Sequence, residues 1–203
     1  MILAAFAALA LVSCNKNGFT TDDEKEKPQT GVSGIVLNEV DGQNKVIEIY
    51  NNTDKEVSLE GVTIVKYDSS KEGGKSTTWT GAAGLKIASK GWVYLESTDL
   101  SDEAEGGDPS YQYQDDKGTY VFKGGLSGKK NVKIELVGPD SKVLDTFTRG
   151  EEGAGWNQVS GFANKKTNSF SRVPDGTGEW VYAAPTPGAK NGEKTGDIEQ
   201  TNE

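Results

Sequence analysis

"LNEVDGQNKVIEIYNNTDKEVSLEGVTI", residues 37–64, decides the fold. Two apolar runs flank Asp41-Gly42, a pair that favours the tight turn of a β-hairpin. In the second run Ile47 and Ile49 share one face, while Val46, Glu48 and Tyr50 share the other. That alternation predicts a strand with one face toward a core. Gly61 divides the next run, "VSLEGVTIVKY", into two short pieces.

The rest of the middle of the chain follows the same pattern. In residues 84–98 Leu85 and Ile87 share a face, Lys90-Gly91 turns, and Trp92 to Leu95 runs on. Residues 118–124, "GTYVFKG", give another short piece. Residues 131–149 form a second hairpin around Gly138-Pro139-Asp140-Ser141, with Val132, Ile134 and Leu136 alternating against lysines and Glu135. The last strand is predicted at "EWVYA", 179–183. Eight or so short strands with no helical period between them predict an antiparallel sandwich or barrel. Residues 67–84 and 100–118 are expected to be polar loops that carry aromatics.

Composition fits this class. The 203 residues include 26 glycines and only 6 prolines, and 33% are hydrophobic, which suits short strands, many turns and polar ends. The net charge of -9 disfavours nucleic acid as a partner. Arginine occurs only at Arg149 and Arg172. With no histidine, Ser-His-Asp and Cys-His catalysis and His-ligated zinc are excluded. The single cysteine cannot form an intrachain disulfide, so stability must come from a buried core.

That cysteine, Cys14, closes the apolar run "MILAAFAALALVSC". The run is too short for a stop-transfer span and reads as a secretory signal over residues 1–13. No Lys or Arg precedes it. Leu11-Val12-Ser13-Cys14 resembles the lipobox of bacterial lipoproteins. The resemblance implies acylation of Cys14 and lipid anchoring at the bacterial cell envelope, on the outer membrane or cell surface. Residues 14–33 hold too few apolar side chains to fold and are expected to tether the domain. The expected domain spans 34–191, followed by a disordered tail over 192–203.

Three motifs in order resemble the lamin tail domain family in its bacterial secreted form. Residues 37–64 carry the Asn-Glu-Val strand, the apolar-Glu-apolar-Tyr-Asn strand and a Leu-x-Gly turn. Residues 125–147, "GLSGKKNVKIELVGPDSKVLDTF", match a later part. Residues 169–191, "SFSRVPDGTGEWVYAAPTPGAKN", carry Arg-x-Pro-Asp-Gly-x-Gly-x-Trp and Pro-Thr-Pro-Gly-x-x-Asn. Val62 stands where the family often has Trp, a core substitution. The resemblance implies an immunoglobulin-like β-sandwich. It also makes the closing stretch a structural staple: Gly176 and Gly178 in a tight turn, Trp180 as anchor, Pro185 and Pro187 ending the pairing. Truncating Trp180 is expected to cost about 3–5 kcal/mol, as for a buried core aromatic.

Candidate chemistry is sparse. Glu39 and Glu48 lie on neighbouring predicted strands and could face each other as a glycosidase-like pair or a cation site. The favoured reading makes them solvent-facing strand residues that hold turns through backbone hydrogen bonds. Asp115-Asp116 and Glu151-Glu152 read as solvated loop charges. Residues 108–118 could offer oxygens to calcium but lack EF-hand spacing. Gly-Gly-Lys-Ser at 73–76 lacks the first glycine of a phosphate loop. Trp79, Tyr111 and Tyr113 are the candidate binding residues, as exposed aromatics for a sugar or protein partner; the favoured alternative packs such aromatics over the ends of the sandwich. No cofactor, metal site or catalytic residue is assigned. The expected function is a lipid-anchored, non-enzymatic binding or tethering module at the cell surface. The alternative is a carboxylate- or calcium-dependent secreted hydrolase, or its accessory module.

Overall fold

The computed structural model describes residues 32–42, 44–68, 74–97, 120–126, 132–149 and 168–196. The signal over 1–13, Cys14 and the tether through residue 31, residues 108–118 with Tyr111, Tyr113 and the acidic pair at 115–116, and the pair at 151–152 lie outside them. Among the described residues every regular element is a strand: β1 Ile35–Asp41, β2 Val46–Asn51, β3 Val57–Ser58, β4 Thr63–Asp68, β5 Gly74–Thr80, β6 Lys86–Ile87, β7 Trp92–Ser97, β8 Tyr120–Phe122, β9 Val132–Val137, β10 Val143–Arg149, β11 Ser169–Val173, β12 Glu179–Ala183 and β13 Lys194–Gly196. A seven-stranded sheet has the order β13-β12-β11-β1-β2-β7-β8. A four-stranded sheet has the order β10-β9-β4-β5, and β3 pairs with β6 separately.

The two larger sheets enclose the core between their inner faces, as in a β-sandwich. Ile35, Leu37, Val40, Ile47, Ile49 and Leu95 meet Ile64, Trp79, Ile134, Leu136 and Phe147 there. Alternation selects these side chains, so Ile47 and Ile49 point inward together while Lys133 and Glu135 leave Ile134 and Leu136 to the core. Val62 is fully buried, as expected of a core position. Gly61, at φ 70°, makes the predicted kink between β3 and β4. The sheets also meet at a corner, where Lys123 donates its backbone N–H to the carbonyl of Thr78 at 2.7 Å.

Several expectations need correction. The loop expected at 67–84 contains β5, which pairs along β4 from Thr63↔Thr80 to Asp68↔Gly74. Gly74, Lys75 and Ser76 are thus strand residues. Strand β8 runs parallel to β7, not antiparallel. β11 was not foreseen; it sits between β1 and β12. The tail expected from residue 192 includes β13, which pairs with β12 through Tyr182↔Gly196 and Ala183↔Lys194.

Candidate functional site

The site begins with one extra residue. β1 and β2 pair as Leu37↔Ile49 and then Glu39↔Glu48, so Asn38 is a β-bulge. The bulge resets the alternation: Leu37 and Val40 still reach the core, while Asn38 and Glu39 both face outward. Beyond it β11 no longer pairs with β1, since their register covers only Glu39↔Ser171 and Val40↔Phe170. The backbone of Leu37 therefore needs other partners.

Arg172 and Asp145 supply them. The Leu37 N–H donates to Asp145 Oδ2 at 2.9 Å, and Arg172 Nε donates to the Leu37 carbonyl at 2.9 Å. Arg172 Nη2 bonds both Asp145 carboxylate oxygens at 3.0 Å, and Nη1 donates to the Gly178 carbonyl at 3.1 Å. The guanidinium lies 4.7 Å from the Trp180 ring, which meets Phe147 edge-on at 4.8 Å. One side chain thus joins β1, β10 of the opposite sheet, the turn and β12.

The turn over 174–178 follows. The Val173-Pro174 peptide is cis, and Gly176 has φ 69°. A Cβ on Gly178 would lie 2.1 Å from the Val173 carbonyl carbon, so only glycine fits there. Gly176 donates its N–H to Asn38 Oδ1 at 2.9 Å. Asn38 Nδ2 donates to Asp175 Oδ1 and to Glu48 Oε1, each at 2.9 Å.

The strap over 184–191 then lies across the outer face. Thr186 donates its N–H to Glu39 Oε2 at 3.0 Å, and Gly188 donates its N–H to Glu48 Oε2 at 2.7 Å. Asn191 closes the strap: its backbone N–H reaches Asp175 Oδ1 at 3.1 Å. Its side-chain Nδ2 donates to the carbonyls of Asn38 at 3.1 Å and Arg172 at 2.9 Å. Glu39 and Glu48 are each 0% exposed. They are not the solvent-facing residues expected from the alternation, because the strap covers the face they occupy. They do hold backbone N–H groups, as expected, but those of a segment far along the chain. Burial pushes the Glu39 carboxyl up to about 7 and that of Glu48 up to about 8, against the hydrogen bonds from Thr186, Ser169, Asn38 and Gly188.

The other sequence candidates are dispersed. Trp79 is 0% exposed in the core, so it cannot stack on a ligand from the surface. It packs inside because β5 is a strand, not a loop. Tyr111 and Tyr113 fall outside the described residues. Asp145 and Thr186 were missed as individual residues, although Thr186 stands inside the closing motif. No group of three or more Asp, Glu, His or Cys side chains among the described residues could hold a metal.

A family model, described as Lamin Tail Domain, matches residues 28–151. The chain belongs to the lamin tail domain family. Its immunoglobulin-like sandwich is the fold expected from the three motifs. No curated protein matches the chain. The lamin tail match ends at residue 151, yet β11 and β12 pair into the same sheet as β1 and carry Arg172 and the strap.

Trp180 is half-buried, not fully enclosed. Trp180→Ala is therefore expected to cost about 2–3 kcal/mol, below the range for a wholly buried aromatic. Urea denaturation checks this, and a loss under about 1 kcal/mol would mean the Arg172 and Phe147 contacts contribute little.

Proposed function

We propose that this lamin tail domain is a non-enzymatic binding or tethering module, held at the bacterial cell envelope by a lipid on Cys14. The observation that supports it most is the occupation of the acids. Glu39 and Glu48 are the best candidate catalytic pair, and their oxygens accept bonds from Thr186, Gly188 and Asn38 beneath the strap. A general base must reach its substrate, and these carboxylates reach protein donors. Both arginines are also engaged. Arg149 is fully buried, and Arg172 is bound to Asp145. Neither offers a surface fork for phosphate, which with the charge of -9 disfavours nucleic acid. Tyr111 and Tyr113 remain the proposed contacts for a protein or glycan partner.

One experiment addresses the anchor and the activity together. The full chain, purified in detergent, is expected to show no turnover on DNA, phosphoesters or glycans, with or without calcium. Wild type is expected in the detergent-rich phase and Cys14→Ala in the aqueous phase. Turnover lost in Glu48→Gln would replace the binding role with a hydrolase. Equal partitioning of the two proteins would remove the lipid from the proposal.

A further inference from the structure

Glu39 and Glu48 are direct partners across β1 and β2, so their side chains leave the same face side by side. Other groups on that face are Asp41 of β1, Tyr50 of β2, Asp175 of the turn, Tyr94 and Glu96 of β7, Ser169 and Ser171 of β11, and Asn38. Lys190, the one charged residue of the strap, is exposed. Arg172 points to Asp145 instead. Among the described residues no lysine or arginine pairs with either glutamate. Two adjacent buried carboxylates without a counter-cation cannot both be ionised cheaply.

Counting hydrogens shows where a proton fits. Asn191 directs Nδ2 at two carbonyls, so its Oδ1 must accept. Thr186 Oγ1 lies 3.1 Å from that Oδ1 and 3.2 Å from Glu39 Oε2. A hydroxyl has one hydrogen, which Asn191 Oδ1 needs. The contact between Oγ1 and Oε2 is then a hydrogen bond only if Glu39 is protonated and donates. Glu48 differs: its two oxygens receive one N–H each, from Asn38 and Gly188, the pattern of a carboxylate. The Glu48 carboxyl is pushed higher, to about 8 against about 7 for Glu39, by burial together with the neighbouring Glu39 and Asp175 carboxylates. The hydrogen-bond count places the shared proton on Glu39, where the Thr186 hydroxyl stands ready to accept it; Ser169 also bonds that carboxyl group.

We infer that the strap over 184–191 is a proton-stabilised latch, closed through a relay from Glu39 to the Thr186 hydroxyl to the Asn191 amide, and that it loosens as the medium passes from mildly acid to mildly alkaline. Losing the proton turns the Thr186 hydroxyl toward Glu39, leaves Asn191 Oδ1 without its donor and sets two charges side by side. The strap continues into β13, so its loosening also frees the edge of β12. The sign follows from the raised folded-state values. The latch has its full stability below the ordinary carboxyl value of 4.5 and loses it as pH rises through about 7 to 8.

Amide hydrogen exchange of the full chain, corrected for intrinsic rates, tests this at pH 5.5 and pH 8. Protection at Thr186 and Gly188 is expected to fall by roughly tenfold or more in wild type, while Ile134 in the core holds, since each pH unit in that window can change the opening equilibrium by up to about tenfold. Glu39→Gln comes nearest to the protonated acid: Nε2 in place of Oε2 donates to Thr186 Oγ1, and the remaining oxygen takes the Thr186 N–H at the position of Oε1, 3.3 Å away. It is expected to stay closed at both pH values. Glu48→Gln sets an amide N–H₂ against either Asn38 Nδ2 or the Gly188 N–H, and is expected to lose protection at both. Equal wild-type protection at the two pH values would overturn the latch. So would a Glu39→Gln protein that is open or unfolded at pH 5.5. Should Glu48→Gln fail to fold, wild type and Glu39→Gln decide the matter between them.

Discussion

Arg172→Ala is expected to lower the unfolding free energy by about 3–4 kcal/mol, the range for removing one partner of a mostly buried ion pair. The pair's side chains are 18% and 15% exposed. Without the guanidinium, the Asp145 carboxylate keeps only N–H donors, those of Leu37 and Thr146. The carbonyl of Leu37 loses its side-chain donor, and Trp180 loses the cation above its ring. Arg172→Lys keeps the charge but not the fork, and is expected to recover less than half of the loss. Urea unfolding of the two variants and wild type measures this. A loss under about 1 kcal/mol for Arg172→Ala would mean that water replaces the pair and that the bulge needs no side-chain partner.

Trp79→Ala is expected to cost about 3–5 kcal/mol, the penalty for emptying a fully enclosed aromatic site. Trp79 packs in the same core as Ile64, Leu136 and Phe147. Its indole Nε1 is buried, and nothing among the described residues accepts its hydrogen. Trp79→Phe removes that donor along with some volume, so it is expected to cost well under half as much as the alanine change. Thermal or urea unfolding compares the two. Equal costs would mean the indole N–H has an acceptor after all. A cost near zero for alanine would place Trp79 at the surface.

These residues also show what a sequence carries. The β1–β2 and β9–β10 hairpins were legible because each strand has one apolar face and a turn signal between. The strand β5 was not. Its neighbours on the chain are polar, Trp79 is its one large apolar residue, and its pairing with β4 is fixed by tertiary contact. β11 was hidden for a related reason. Its outward residues Ser169 and Ser171 are buried against a polar interior, so only Phe170 and the terminal Val173 carry an apolar signal. The facing of Glu39 and Glu48 followed from strand order. Their burial did not, because the segment that covers them lies about 140 residues away, as for the bond from Gly188 to Glu48. The Arg-x-Pro-Asp-Gly motif marked a staple, but Asp145, its partner on the opposite sheet, carries no local signature.

The span of these bonds bears on how the chain acquires its shape. Asn191 bonds to Asn38 across 153 positions, and Gly188 to Glu48 across 140. Loops of that length close late and slowly, since their entropy must be spent before the contacts reward it. A chain emerging from its N-terminal end can therefore form the β1–β2 hairpin early while Asn38, Glu39 and Glu48 still face water. The last strap residues then convert those hydrated acids into interior ones in a single closing event, and vectorial synthesis delays the finished domain until that stretch has appeared.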